Sequence, residues 1–373
     1  MQTACARVRL EISLTRLREN YRKIADAVAP CAVIAVLKAN AYGLGMRPIA
    51  RALVEAGVRR FAVAELAEAL GLAELGLPVL ILGNVLPEEI PEAVATGIEL
   101  PVPDLRTARL ISAEAVRQGR AAAVHVAVDT GMGRLGILAS EAEEEIARCL
   151  ALPGLRPEGI YSHFPMAYRG GSEYTLRQIR AFVDLLGRLA ARGLAFALRH
   201  IANSDAINNF PQTFAPPFNA VRTGINLHGN FDSEGQRALN LRSVLTLKAR
   251  LTQVRRLSAG MAIGYGLTYR LPRDMTVGTV SAGYADGLPL ALSNRGYVLI
   301  RGRACPVLGR VSMDYTSVSL EEAPEAECGD EVICLGGEGP AAITVEDWAQ
   351  LKGTHPYEII CSFGSRVARC YVE

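Results

Sequence analysis

The 373-residue sequence has no basic run, no long apolar span, no CxxC cysteine pair and no low-complexity linker. Each absence excludes something. Lys and Arg total 40 against 38 Asp and Glu, a net charge of +2. Proteins that bind nucleic acid by counterion release carry a basic stripe, so nucleic acid is not an expected partner. The longest apolar stretch without charge covers residues 75–87, and Gly76, Pro78 and Gly83 interrupt it. No membrane span is expected. Arg7, Arg9 and Glu11 stand where a secretion signal needs apolar residues, so no export signal is expected. The eight cysteines form no CxxC pair, and no histidine stands at zinc spacing. They read as free thiols in a reducing cytoplasm, and no metal site is expected.

Half the residues are apolar and 21% are charged, a globular composition. At ~150 residues per domain, the length suggests two domains. From about residue 31 to 229, short apolar runs alternate with helical patterns. The runs cover residues 31–37, 61–64, 79–82, 98–102, 122–128, 159–163, 197–201 and 221–227. They are apolar on both faces, as parallel strands covered by helices are. Eight such units predict a TIM (β/α)8 barrel, with a doubly wound sheet as the competing arrangement. After residue 239 the pattern becomes period two, first in residues 245–251. Further strands are expected at 277–282, 296–301, 306–311, 316–320 and 331–335, and a helix at 345–351 capped by Thr344. The expected division is a barrel over 1–238 and a mostly antiparallel β domain over 239–373.

Several polar residues fall at the C-terminal ends of barrel strands, the face where such barrels carry their sites. Lys38 ends the first strand. Its amine either snorkels to water or emerges into a pocket that lowers its pKa and makes it nucleophilic. Arg134 closes a glycine-rich stretch after the fifth strand, as an anion clamp or a surface arginine. His163 follows the sixth strand, Asn203 and Ser204 the seventh, and Arg222 lies on the eighth. Ser204 with the Gly224 and Ile225 amides would suit a phosphate. Nothing local makes Tyr265, between two glycines, catalytic.

In order, AVLKANAYGLG, VDTGMGRLG, SHF, ANS, VRTGI, IGYGLTY, GYADG, GRVSMD, PYE and SRVARCYV resemble the signatures of the bacterial alanine racemases. The resemblance covers nearly the whole chain. It implies a barrel that binds pyridoxal phosphate (PLP) and a β domain. It implies interconversion of L- and D-alanine, supplying D-alanine for peptidoglycan. Lys38 would be the Schiff-base lysine and one catalytic base. Tyr265 would be the other, supplied across a homodimer interface. Arg222 would face the pyridine nitrogen, Arg134 the phenolic oxygen and substrate carboxylate, and His163 would bridge Arg222 and Tyr265. Tyr42, Asn203, Ser204, Gly224, Ile225 and Tyr357 would bind the cofactor. The Met313 amide would meet the substrate carboxylate, and Tyr284 would line the approach.

One base on each face of Cα suffices for racemisation, and PLP is the electron sink. A guanidinium beside the pyridine nitrogen keeps its own protons, so that nitrogen would stay unprotonated, which should limit transamination. The sequence departs from the family pattern at four places. Leu44 stands where His is frequent, Ser312 where Cys is frequent, and His228 where Tyr is usual. Ala127 replaces a lysine that some members carbamylate, so Arg134 needs another anchor; a bound anion such as chloride is one. A serine or broad-specificity racemase of the same architecture is the alternative, although Tyr357 is retained. A basic amino-acid decarboxylase of this barrel class would need a Gly-rich phosphate loop that is absent. A non-catalytic PLP barrel would lack the β domain.

Overall fold

A computed structural model describes residues 6–373. They form two compact units. One comprises Arg18–Leu227 and Glu234–Leu241; the other comprises the described residues up to Leu17 with His228–Ser233 and Arg242–Glu373.

The first unit is a parallel barrel. Its strands are β1 (Ala32–Val36), β2 (Phe61–Val63), β3 (Val79–Ile81), β4 (Leu100–Val102), β5 (Ala122–Asp129), β6 (Leu155–Tyr161), β7 (Leu198–His200) and β8 (Ala220–Thr223). They pair in the order β3-β2-β1-β8-β7-β6-β5-β4. The ring closes where Leu80 bridges Glu99, just before β4, and the Ile81 amide donates to the Glu99 carbonyl at 3.0 Å. All eight expected strands are present, and a closed ring excludes the doubly wound sheet. On the β1–β3 side the interior is apolar: Ile34, Val36, Ala62, Leu80 and Ala220 pack together. Helices cover the outside and follow local rules. Asp104 caps Leu105–Gln118 by accepting the Thr107 amide at 2.6 Å, and Gly119 ends it at φ +64°, a cap worth about 1 kcal/mol.

The second unit is built on one long strand, β9 (Leu245–Leu257). Its first seven residues alternate buried and half-buried, and a register shift between Leu251 and Gln253 passes it from one sheet into another. Around it lie β10 (Met275–Val280), β11 (Tyr297–Ile300), β12 (Arg303–Pro306), β13 (Thr316–Ser319) and β14 (Glu331–Leu335). Their pairings are antiparallel. An unanticipated N-terminal strand, Arg9–Ser13, pairs antiparallel with β9 and parallel with β15 (Ala368–Val372). The strand expected at 306–311 ends at Pro306, since Gly309 at φ +76° cannot continue an extended run. Thr344 caps the helix Val345–Lys352 in a capping box with Asp347.

Candidate active site

Lys38 follows β1 by two residues and is exposed. The chain then takes a left-handed turn: Ala39, Asn40, Ala41 and Tyr42 have φ between +53° and +59°. That conformation costs about 1–2 kcal/mol per residue, least for Asn. Specific bonds hold it. The Ala41 amide donates to the Leu37 carbonyl at 2.7 Å, the Gly43 amide to the Ala39 carbonyl at 2.7 Å, and the Asn40 amide to the Glu68 carboxylate at 2.9 Å. The turn buries Tyr42 beside β8. A Cβ on Gly224 would lie 1.9 Å from the Tyr42 hydroxyl, so only glycine lets the two meet. The Gly224 amide donates to the Ser204 hydroxyl at 3.1 Å, and that hydroxyl lies 3.4 Å from the Thr223 hydroxyl. Tyr42, Ser204 and Gly224 thus form one polar cradle. The Asn203 side chain caps the helix Ser204–Asn209, accepting the Ala206 amide at 2.9 Å.

Arg134 is presented by a loop wrapped around one carboxylate. The buried Asp129 accepts the amides of Gly131, Met132, Gly133 and Arg134 at 2.7, 2.8, 2.8 and 3.2 Å. Beside Ala127 lies a cavity of about 30 Å³, lined by Arg134, Met132, Tyr161 and His163 among others. It has room for one small occupant.

Arg222 is buried at the C-terminal end of β8. Its Nη1 donates to His200 Nδ1 at 2.6 Å, and its Nη2 donates to the Ser162 carbonyl at 2.7 Å and to His163 Nδ1 at 3.3 Å. Burial lowers its pKa to about 10. Burial first, then the charges of Arg222, Arg134 and Lys38, pull the His163 pKa well below the ordinary histidine value. The charges of Lys38, Arg134 and Arg222 therefore all bear on His163. Because an arginine only donates, His163 Nδ1 accepts, and the neutral ring carries its hydrogen on Nε2.

The second unit carries the remaining candidates. Tyr265 sits in the tight hairpin between Ala262–Ile263 and Tyr269–Arg270, flanked by Gly264 and Gly266 at φ +68° and +74°, and is 72% exposed. The Tyr284 and Ala285 amides donate to the Ser312 and Met313 carbonyls at 3.0 and 3.1 Å, bringing Tyr284 beside Met313. Arg366 grips this corner through Asp286 and Asp314 at 2.7–2.9 Å. Tyr357 lies on the short helix Pro356–Cys361. His228 is buried, which lowers its pKa to about 3.

A family model for the alanine racemase N-terminal domain matches residues 12–231, and one for the C-terminal domain matches 244–371. The chain belongs to the alanine racemase family. It is 42% identical to the alanine racemase of Desulforamulus reducens over 97% of this chain and 98% of that one. Its fold matches the alanine racemase of Clostridium difficile 630 with a TM-score of 0.92 at 34% identity, covering 99% of this chain and 96% of that one. It also matches the Bartonella henselae alanine racemase, solved with covalently bound pyridoxal phosphate, with a TM-score of 0.87 at 29% identity, covering 98% and 100%.

Within this chain, the barrel mouth gathers Lys38, Tyr42, Arg134, His163, Ser204, Arg222, Gly224 and Ile225; Tyr265, Tyr284, Met313 and Tyr357 belong to the other unit. Sequence reasoning gave no role to three supporting groups. Asp129 organises the Arg134 loop. Gln178 donates to Thr130 Oγ1 and the His163 carbonyl at 3.2 Å, tying two strand ends together. His125 and His200 underlie Arg222. The signal for His125 was a lone histidine inside the apolar run of β5. The described residues contain no helix long and apolar enough to cross a membrane.

Proposed function

We propose that this chain interconverts L- and D-alanine with PLP, using Lys38 and Tyr265 as bases on opposite faces of Cα, and supplies D-alanine for peptidoglycan. The observation that carries the reading is the setting of Arg222, bonded to neutral acceptors at the mouth that also holds Lys38. The residues fit PLP. The Tyr42 and Ser204 hydroxyls and the Gly224 amide supply the kind of donors a phosphate takes, in a cradle that any Cβ on Gly224 would fill. β1 and β8 are neighbours, with Ala35 beside Thr223, so the lysine and the cradle leave adjacent strand ends.

When bound, PLP supplies the electron sink that makes the Cα proton removable. The protein does the rest. Lys38 Nζ takes or returns the Cα proton on one face, and the Tyr265 hydroxyl does so on the other. Arg134 holds the substrate carboxylate, helped by the Met313 amide. Arg222, a pure donor, would stand beside the pyridine nitrogen and keep it unprotonated. His163, neutral and fixed through Nδ1, offers its Nε2 hydrogen to the tyrosine. Asn203 and Tyr357 complete the cofactor's surroundings, with Ile225 beside the cradle, and Tyr284 lines the approach.

Tyr265 comes from a second copy of the chain in this proposal. Supporting that, Tyr265, Leu267, Tyr284 and Met313 are all about half exposed or more on one unit, an apolar surface of the kind that a partner covers. A reducing, cytoplasmic setting is supported by the buried free thiols of Cys31, Cys149, Cys305 and Cys334. Burial raises the thiol pKa of Cys149 and Cys334 to about 12 and of Cys305 to about 11.

Chiral chromatography after incubating the PLP-loaded protein with L-alanine or L-serine tests the reading. D-alanine should form much faster than D-serine. Comparable rates would make it a broad-specificity racemase and point to Leu44, Ala127 or His228. No D-product with cofactor bound would overturn the activity.

A further inference from the structure

A TIM-type barrel is ordinarily filled by branched apolar side chains. The β1–β3 side of this barrel follows that habit, but the part bounded by β4, β5, β7 and β8 does not. There Glu99, His125, His200 and Arg222 are all buried and form a continuous file. Arg222 Nη1 lies 2.6 Å from His200 Nδ1. His200 Nε2 lies 3.3 Å from His125 Nδ1, and His125 Nε2 lies 3.1 Å from a Glu99 oxygen. The other Glu99 oxygen accepts from Arg60, which also bonds Glu158 at 2.9 Å.

The chemistry of the two ends settles every hydrogen between them. A guanidinium only donates and a carboxylate only accepts. His200 Nδ1 therefore carries no hydrogen, and its Nε2–H donates to His125 Nδ1. His125 in turn donates its Nε2–H to Glu99. All the hydrogens point away from Arg222. A second proton on either ring would set two N–H groups face to face, so both imidazoles are neutral. Burial, then the Arg222 charge, also holds the His200 pKa far below the ordinary value. Burial alone would raise the Glu99 pKa, but the bonds from His125 and Arg60 outweigh it and hold it low.

The surroundings are shaped to seat the file. A Cβ on Gly159 would lie 2.3 Å from His125 Nδ1, so β6 gives up a side chain to make room for the ring. Tyr161 stacks flat on His200, with centroids 5.3 Å apart and planes 3° apart, and its ring lies 5.4 Å from the Arg222 guanidinium.

We infer that Glu99, His125 and His200 are positioning residues for Arg222: the file fixes the guanidinium plane and gives it an acceptor that cannot turn into a donor. The inference rests on the reading that Arg222 faces the pyridine nitrogen. A guanidinium that could swing away would expose that nitrogen to protonation. A stronger electron sink would then divert turnovers from returning the proton at Cα to abortive transamination, in which alanine leaves as pyruvate and the cofactor as its pyridoxamine form.

The test has two arms on the PLP-loaded protein. In the first, ¹⁵N NMR of the wild type labelled at its five histidines reads the tautomers directly. His125 and His200 should both carry their hydrogen on Nε2 and leave Nδ1 bare. An Nδ1–H tautomer of either ring would overturn the inference. In the second, His125→Leu and Glu99→Gln are compared with wild type for the ratio of racemisation to transamination turnovers. That ratio does not depend on how much protein is folded. It should fall about tenfold in both variants, the worth of one buried hydrogen bond to a charged group. An unchanged ratio in the variants that fold would refute the positioning role. A wild type that makes no D-alanine would instead refute the functional reading, while its histidine tautomers stay readable.

Discussion

Gly224→Ala is a one-methyl change that should weaken cofactor binding. The new Cβ would lie 1.9 Å from the Tyr42 hydroxyl and 2.8 Å from the ring carbon that bears it. Ordinary contact begins near 3.4 Å, so the hydroxyl must retreat by about 1.5 Å. It cannot do so freely, because Tyr42 is 5% exposed and fixed at φ +59° in the left-handed turn. The Gly224 backbone itself is not in a glycine-only conformation, so alanine adds no strain of its own. A hydrogen bond to a charged group is worth roughly 1.5–3 kcal/mol, which predicts roughly ten- to hundredfold weaker PLP binding. Titration of the apoprotein with PLP, followed by visible absorbance, measures it. Tyr42→Phe removes the hydroxyl alone and should cost a similar amount. If the alanine acts by displacing that hydroxyl, the double variant should be little worse than either single one. Wild-type affinity in Gly224→Ala, or fully additive losses, would refute the argument.

Lys38→Ala should end borohydride trapping of the cofactor, read as loss of the reduced adduct by mass spectrometry; a surviving adduct elsewhere would move the assignment. Tyr265→Ala should keep PLP yet lose racemisation in at least one direction, and mixing it with Lys38→Ala subunits should recover part of the activity, whereas confirmed mixed dimers with none would argue against a shared site. Acid should destabilise the fold well before the carboxylates titrate. His163, His200 and His228 have depressed folded values, about 3 for His228. The unfolded chain therefore takes up protons below about pH 6.5 that the folded one refuses, and stability present above that pH is lost at about 1.4 kcal/mol per unit per histidine. Equal urea midpoints near pH 7 and pH 5 would contradict this. Bromide soaking should place an anomalous peak beside Ala127 within reach of Arg134; an active crystal without one would leave Arg134 held by the Asp129 loop alone.

Much of the barrel was legible because its signal is local. The run at 122–128 is apolar on both faces, and helix Leu105–Gln118 has its cap and its terminal glycine in sequence. The N-terminal strand was not legible. Arg9 and Glu11 make it look like surface, and its partners come from β9 and β15, far along the chain. The left-handed turn was equally hidden. Of Ala39, Asn40, Ala41 and Tyr42, only Asn favours that conformation, and the bonds that enforce it come partly from Glu68 on another element. At the site, the residues facing the mouth carried recognisable spacing. Those behind them did not, because Glu99 and His125 become functional candidates only when strand register sets them in line.

The turn after Lys38 also predicts where this barrel breathes. Four residues held against their own backbone preference form the stretch with most to gain from letting go. Amide exchange of Ala41 and Gly43 should accordingly run ahead of that of Leu37, whose amide is locked to Ala62 at 2.8 Å in the neighbouring strand. The lysine thus stands at a border between a stiff strand and a strained step. Slowing of that exchange as PLP is added would register the cofactor as the piece that closes the step.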